Sequence, residues 1–104
     1  MIAVIFEVLP ADGRKGDYLE HAARLKSELE CMDGFISVER FQSLTDPDKL
    51  LSLSFWRDEQ AVVRWRCQAA HRAAQSIGRK GIFRDYRLLV AAVVPADSRA
   101  VHDV

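Results

Sequence analysis

The first segment of the chain constrains the fold most strongly. Apart from Glu7, residues Ile2 to Leu9 are apolar on both of the alternating faces that a strand presents. Successive side chains of a strand point to opposite sides of a sheet, so a strand that is apolar on both sides lies inside the sheet and is covered above and below. With 104 residues, the chain has room for one domain built around this strand.

Five more segments have the periodicity of regular structure. They are a helix over Lys15–Met32, strands over Phe35–Leu44 and Leu50–Trp56, a helix capped by Asp58 and ended by Gly78, and a strand over Phe83–Val94. This order is typical of the ferredoxin-like α+β fold, in which two helices cover one face of an antiparallel four-stranded sheet. The usual strand order of that fold, 4-1-3-2, places the first and third strands in the centre. The domain is predicted to span residues 1–95, with a polar tail over residues 96–104.

The second face of this sheet predicts a homodimer. The helices cover one face, but the strands also carry apolar side chains on the other, where a single subunit would leave them in contact with water. Large exposed apolar patches usually mark an interface, and a second copy that packs sheet to sheet would cover this one.

Charge and residue spacing exclude several classes of function. The chain has 15 basic and 15 acidic side chains, whereas a nucleic-acid-binding protein normally has a basic excess. No apolar run approaches the length of a membrane span, and the first residues lack the pattern of a signal peptide. The three histidines do not have metal-ligand spacing, and Cys31 and Cys67 are expected to be reduced thiols. We therefore expect a cytoplasmic protein with no metal and no nucleic-acid or membrane partner.

Charge within the strands and helices has two interpretations. Glu7, Glu39 and Arg40 interrupt apolar strands, and an ion pair between strands or across the dimer is the expected role. The strand from Phe35 is predicted to be an outer strand with mixed polarity on both faces, in which regular alternation places Phe35 on the same face as Glu39. Residues 57–87 contain eight basic and three acidic side chains. This excess indicates either a solvated helix face or the steering of an anionic aromatic ligand.

Several segments together resemble the antibiotic biosynthesis monooxygenase (ABM) family. The resemblance covers about residues 1–95, and its most specific feature is the junction at which a strand ends in Trp56 and a helix begins with Asp58-Glu59. The segments that carry it are Asp33–Phe41, Leu51–Val62, Trp65-Arg66, His71–Gln75 and Asp85–Arg87. It implies a dimeric α+β barrel with a ligand cleft between the sheet and the helices of each subunit. The family includes cofactor-free oxygenases of polyketide quinone pathways and haem-degrading oxygenases.

The first functional hypothesis from this resemblance is a cofactor-independent monooxygenase. Its substrate would be a small electron-rich aromatic, such as a phenol, a hydroquinone or a polyketide-like quinone precursor. An imidazole can accept a proton near neutral pH, so His71 is the candidate general base. The candidate substrate-binding residues are Trp56, Trp65, Ser52, Ser54, Arg57 and Tyr86. Each aromatic in this set has an alternative as a core residue, and His71 has one as a structural histidine.

Two alternatives remain beside this hypothesis. Trp65 follows Trp56 by nine residues, as does the second tryptophan of the haem-degrading members. The position of their axial histidine holds Gln75 here, and an amide is a weak ligand for haem iron, so haem is possible but not the expected cofactor. In the quinone-forming members an asparagine and a tyrosine occupy the positions of Ser52 and Val62. The other alternative is a non-catalytic dimeric domain for ligand binding or stress response.

Overall fold

The fold was analysed in a computed structural model that describes residues 1–75 and 83–96, with the side chains of residues 70–75 left out. Its elements are β1 (Ile2–Pro10), α1 (Lys15–Leu29), β2 (Phe35–Gln42), β3 (Leu50–Trp56), α2 (Glu59–Gln75) and β4 (Phe83–Ala92). The predicted order of strands and helices is confirmed. The predicted end of α2 at Gly78, and the predicted tail from residue 97 onward, lie outside the described residues.

The four strands form one antiparallel sheet in the order β2-β3-β1-β4. The two most apolar strands, β1 and β3, are therefore central, as predicted. In their register Val4 pairs with Ser54 and Phe6 with Ser52, so these four side chains share the face that the helices cover. Their sequence neighbours point to the opposite face of the sheet.

The core lies between the sheet and the two helices. Its centre is Trp56, which is fully buried and packs with Val4, Leu29 and Val62. Helix α1 contributes most of its predicted apolar face: Tyr18, Ala22 and Leu29 are buried, and Leu25 packs at the edge of the core. The helix ends at Leu29 rather than at the predicted Met32, which packs against the core from the turn after it. Asp58 caps α2 as predicted, because its carboxylate accepts a hydrogen bond of 2.8 Å from the backbone N–H of Ala61.

Strand β2 begins with an irregularity that strict alternation did not predict. Phe35 pairs with Trp56 and Ser37 with Phe55, so two steps along β2 match one step along β3. The extra residue turns Phe35 toward the core, where its ring meets that of Trp56 edge to face at 5.4 Å. The prediction that Phe35 lies on the face of Glu39 is therefore wrong.

A charged cluster joins the turn before β2 to the start of α2. The Arg57 guanidinium donates hydrogen bonds of 3.1 and 3.0 Å to the two carboxylate oxygens of Asp33, and its Nε donates a bond of 2.8 Å to Asp58. These bonds lower the pKa of Asp33 and that of Asp58. Gly34 lies in the same turn with φ of 86°, and a Cβ added to it would lie 2.6 Å from the Cβ of Ala61.

The side of the sheet opposite the helices, which we call the outer face, is largely apolar. Phe41 is 44% exposed and Leu89 is 43% exposed. The other large apolar side chains of the outer face are Ile5, Leu51, Leu53 and Phe55. No helix in the described part of the chain has the length and hydropathy to span a membrane.

Glu7 is the charged exception on the outer face. It accepts a hydrogen bond of 2.8 Å from Arg87 of β4 and lies 3.7 Å from the Nζ of Lys49. The bond from Arg87 is the main cause that lowers the pKa of Glu7. The predicted ion pair between strands is confirmed for this residue.

Candidate active-site cavity

A cavity of about 250 Å³ lies between the helix-facing side of the sheet and the two helices. Its walls are mainly apolar and include Val4, Leu25, Leu29 and Leu88. Small apolar clefts with a few converging polar groups are the usual form of ligand sites in proteins. The polar groups on these walls are therefore the ones that decide what the cavity can bind.

The floor of the cavity contains two serines of β3. Ser52 and Ser54 face the helices, and their small side chains leave room above the sheet. The oxygen of Ser54 accepts a hydrogen bond of 3.0 Å from the indole nitrogen of Trp56. A hydroxyl that accepts in this way keeps its own hydrogen for another partner.

The two tryptophans stack beside this floor, but only one of them lines the cavity. Their rings lie 5.4 Å apart with an angle of 26° between the ring planes. Trp56 is fully buried below, whereas Trp65 of α2 is half-buried and forms part of the wall. The indole nitrogen of Trp65 is buried and has no hydrogen-bond partner among the described residues. A buried N–H without a partner is uncommon in proteins, so this donor is available to a ligand.

Arg40 of β2 also lines the cavity. It pairs with Ser52 across the two strands, which places its side chain on the helix-facing side of the sheet. Its Nε is buried without a hydrogen-bond partner. Burial raises the pKa of the neighbouring Tyr18, and the charge and hydrogen bonding of Arg40 partly offset this increase. Among the described residues Arg40 forms no ion pair, so the predicted ion pair between strands is not found for it.

The charged and titratable side chains of the wall are basic or neutral. Besides Arg40 they include Arg66, which is exposed on α2, and His21, which is half-buried on α1. No aspartate or glutamate is among the described residues that line the cavity. The charged side chains that the described part of the wall contributes are therefore cationic.

Of the six substrate-binding residues predicted from sequence, the structure places three on the cavity wall and three elsewhere. Ser52, Ser54 and Trp65 lie together on the cavity wall. Trp56 lies behind them in the core, without a place on the wall.

The remaining predicted residues lie elsewhere. Arg57 is exposed and is engaged by Asp33 and Asp58, away from the cavity. Tyr86 is 62% exposed, and its ring lies 5.9 Å from that of Phe6. The side chain of His71, the predicted general base, lies outside the described residues.

Sequence analysis missed Tyr18, His21 and Arg40 as members of the site. His21 follows Tyr18 by three residues and so lies on the same side of α1, a signal present in the sequence. Arg40 alternates with Val38 on the face of the two serines, which the pairing of β2 with β3 could also have indicated.

Comparison with known proteins assigns the family. Over residues 1–76 the sequence matches the family described as antibiotic biosynthesis monooxygenase. The chain belongs to this family. It is 50% identical over 93 residues to the jasmonate monooxygenase ABM of Pyricularia oryzae, in an alignment that covers 89% of this chain and 43% of that protein. The chain thus spans less than half the length of this relative.

Solved structures share the ABM fold at low identity. A protein from Pseudomonas aeruginosa superposes with a TM-score of 0.75 at 16% identity, over 90% of this chain and 94% of that chain. The haem degrader MhuD of Mycobacterium tuberculosis, solved with two haems in its active site, gives a TM-score of 0.71 at 16% identity, over 94% of this chain and 100% of that chain. Both agree with the α+β fold predicted for the family.

Proposed function

We propose that the protein is a monooxygenase whose substrate, a small electron-rich aromatic, binds in the cavity and is oxidised without a bound cofactor. Phenols, hydroquinones and polyketide-like quinone precursors are the expected classes. The observation that supports this most is the apolar cavity with converging polar groups, in a chain of the ABM family. Apolar walls around a bound substrate favour reaction of a reactive anion with oxygen rather than with protons.

The proposed reaction is balanced without a separate reductant. A hydroquinone loses a hydroxyl proton to a general base, and the resulting anion transfers an electron to O₂. The two radicals combine to form a carbon–oxygen bond, and loss of water from the peroxide leaves a new carbonyl. One hydroquinone and one O₂ thus give one hydroxyquinone and one water, and the substrate supplies all the electrons.

The residues of the wall have distinct roles in this proposal. The indole face of Trp65 packs against the substrate ring, while Ser52 and Ser54 bind its oxygens. His71 remains the general base predicted from sequence. His21 is the histidine that lines the cavity among the described residues, so it is the second candidate for that role.

Absence of haem is part of the proposal, and two observations support it. The cavity of about 250 Å³ is below the range of roughly 300–1,000 Å³ that is typical for drug-sized ligands, and haem is a large ligand. Gln75 stands where the haem-degrading members have their axial histidine, and an amide is a weak donor to iron. Both observations favour a reaction without haem, and no step of the proposed reaction uses it.

A second candidate substrate follows from the Pyricularia oryzae relative. That protein is named a jasmonate monooxygenase and is 50% identical to this chain. Jasmonate is a small, mostly apolar carboxylate, and its size and polarity suit the cavity described above. We therefore propose a jasmonate-like molecule as the alternative substrate.

Oxygen uptake tests the proposal and separates the candidates. The purified protein is mixed with a panel of hydroquinones without any reductant, and oxygen consumption and products are measured. Jasmonate cannot supply electrons to O₂ as a hydroquinone does, so its hydroxylation is assayed with an added two-electron reductant such as a reduced nicotinamide. We expect uptake with a hydroquinone, with one atom of ¹⁸O₂ in the product. Replacement of the true base, in His21→Asn or His71→Asn, should lower the rate by roughly 10²–10⁴-fold. Turnover of jasmonate alone would favour the second candidate. Binding of either ligand without oxygen consumption would instead support a non-catalytic domain.

A further inference from the structure

We propose that the cavity selects substrates that carry a carboxylate, and that Arg40 binds this group together with the indole N–H of Trp65 and the hydroxyl of Ser54. This inference rests on the proposed function in one respect, namely that the cavity is the substrate site. It adds the chemical class of the substrate and names Arg40 as the residue that determines specificity.

The first step of the inference is the missing counter-ion of Arg40. Its Nε is buried, and among the described residues no carboxylate pairs with its guanidinium. Arg40 is half-buried, and its hydrogen bonding with the neutral Tyr18 hydroxyl brings no negative charge, so the guanidinium lacks a counter-ion among the described residues. Carboxylates match the planar guanidinium particularly well, because two parallel N–H donors can bind the two oxygens. A ligand carboxylate would therefore supply what the protein itself does not.

The second step is that Trp65 and Ser54, which line the same cavity as Arg40, each offer a hydrogen-bond donor. The indole nitrogen of Trp65 can only donate, and it has no partner. The oxygen of Ser54 already accepts from Trp56, so its hydrogen is left to donate. A set of donors without an acidic side chain among the described wall residues requires a ligand group that accepts several hydrogen bonds.

The third step concerns which acceptor is charged at neutral pH. Carboxylic acids ionise near pH 4, whereas phenols ionise near pH 10, so a carboxylate brings a full negative charge and a phenol usually does not. Arg66 on the same wall is a second positive charge that would attract such an ion. The donor set and the charge therefore both favour a carboxylate over a neutral phenol. The name of the Pyricularia oryzae relative, a jasmonate monooxygenase, is consistent with this class.

The test compares acids with their methyl esters, which keep the ring and lose the charge. Two matched pairs are titrated calorimetrically into the wild-type protein: jasmonate with methyl jasmonate, and 2,5-dihydroxybenzoate with its methyl ester. We expect at least one acid to bind about 10-fold or more tightly than its ester. Arg40→Met should weaken that acid by roughly 10- to 100-fold, the range for a lost hydrogen bond to a charged group, and leave the ester unchanged. Trp65→Phe, which keeps the ring and removes the N–H, should weaken the acid by a smaller factor.

The control variant is Arg24→Gln. Arg24 is an exposed arginine on α1 that pairs with Glu20, away from the cavity. The Arg24→Gln variant should bind acids and esters as the wild type does. Thermal melts of every variant show whether it is folded. If Arg40→Met does not fold, the comparison of acid with ester in the wild type and in Trp65→Phe still tests the inference.

Two results would overturn the inference: no acid binds more tightly than its ester, or Arg40→Met weakens acid and ester equally. Oxygen uptake is measured on the same samples. Selective binding of an acid without uptake would contradict the proposed function and leave the inference intact. Uptake with 2,5-dihydroxybenzoate and with its methyl ester, at equal affinities for the two, would support the proposed function and contradict the inference.

Discussion

Trp65 has an aromatic neighbour on one side and the cavity on the other. It stacks on Trp56 at 5.4 Å and is half-buried at the wall. We expect Trp65→Ala to lower the free energy of unfolding by about 3 kcal/mol, the lower end of the range for truncated core aromatics, because part of the ring faces the cavity. Trp65→Phe keeps a ring in the stack and should cost less. Equilibrium denaturation measures both variants, and an unchanged stability of Trp65→Ala would show that the stack contributes nothing.

Asp33 and Asp58 make stability depend on pH at the acidic end. Arg57 lowers both of their pKa values in the folded protein. The folded state therefore binds protons less readily than the unfolded chain, and the resulting stabilisation is complete above the ordinary aspartate pKa of about 3.9. It is lost as the pH falls from there through the lowered folded-state values.

Denaturation curves between pH 7 and pH 2.5 test this dependence. Asp33→Asn should show a shallower loss of stability below pH 4 than the wild type. Asp12→Asn, a change at an exposed aspartate with no ion pair among the described residues, should follow the wild-type curve. Parallel curves for Asp33→Asn and the wild type would contradict the role of the Arg57 cluster.

At the scale of single residues, the sequence predicts which residue types occur and how they are spaced. It does not predict what surrounds each side chain in the folded protein. Trp65 was identified from its spacing to Trp56 in the resemblance to the ABM family, and the two serines of β3 because they alternate along a strand that ends in Trp56. Alternation also indicates the face of Arg40, but not whether a carboxylate, a neighbouring strand or a cavity lies above it. That depends on the packing of α1 and α2 over the sheet, which no local pattern contains.

Gly34 lies where the turn after α1 meets α2. It combines a positive φ with close contact: φ is 86°, and an added Cβ would lie 2.6 Å from that of Ala61. Gly13 also has positive φ, 74°, but nothing lies within 4 Å of an added Cβ. Gly13→Ala should therefore cost only the conformational strain, roughly 1–2 kcal/mol. Gly34→Ala should cost clearly more, because β2 and α2 must also move apart.

Thermal or chemical denaturation of these two variants separates strain from contact. Equal losses would mean that the backbone absorbs the contact without cost. A larger loss at Gly34 that is partly recovered by the additional change Ala61→Gly would identify the Cβ contact as its cause.

The elements themselves were predictable because each has a pattern that is uniform over its length. Tyr18, Ala22, Leu25 and Leu29 mark one face of α1, and its position against the sheet follows from that face. The irregularity at the start of β2 was not predictable, because nothing in the sequence of β2 itself marks an extra residue after Phe35. Its position depends on pairing with Trp56 in another strand.

For the whole molecule we predict a homodimer through the outer face of the sheet. Leu89 and Phe41 are each more than 40% exposed there, beside several half-buried apolar neighbours. An interface between two such sheets should bury well over ~1,000 Å² in total, more than most crystal contacts. Light scattering at micromolar concentration should give the mass of a dimer, and Leu89→Lys should shift it toward the monomer.

Leu44→Lys is the matched control for this prediction. Leu44 is fully exposed in the turn after β2, so the same change there should leave the dimer intact. A folded wild-type monomer at micromolar concentration would refute the predicted dimer.

The stacked tryptophans also provide an intrinsic spectroscopic signal for ligand binding. They are the two tryptophans of the chain, and their rings lie 5.4 Å apart. Transitions of indoles this close couple, so the circular dichroism spectrum should contain a pair of bands of opposite sign that Trp65→Phe abolishes. Trp56 is fully buried in the core, and its indole N–H donates a hydrogen bond to Ser54, whereas Trp65 lines the cavity. Ligand binding should therefore quench one emitter and perturb the coupled bands, which allows occupancy of the cavity to be followed without any label.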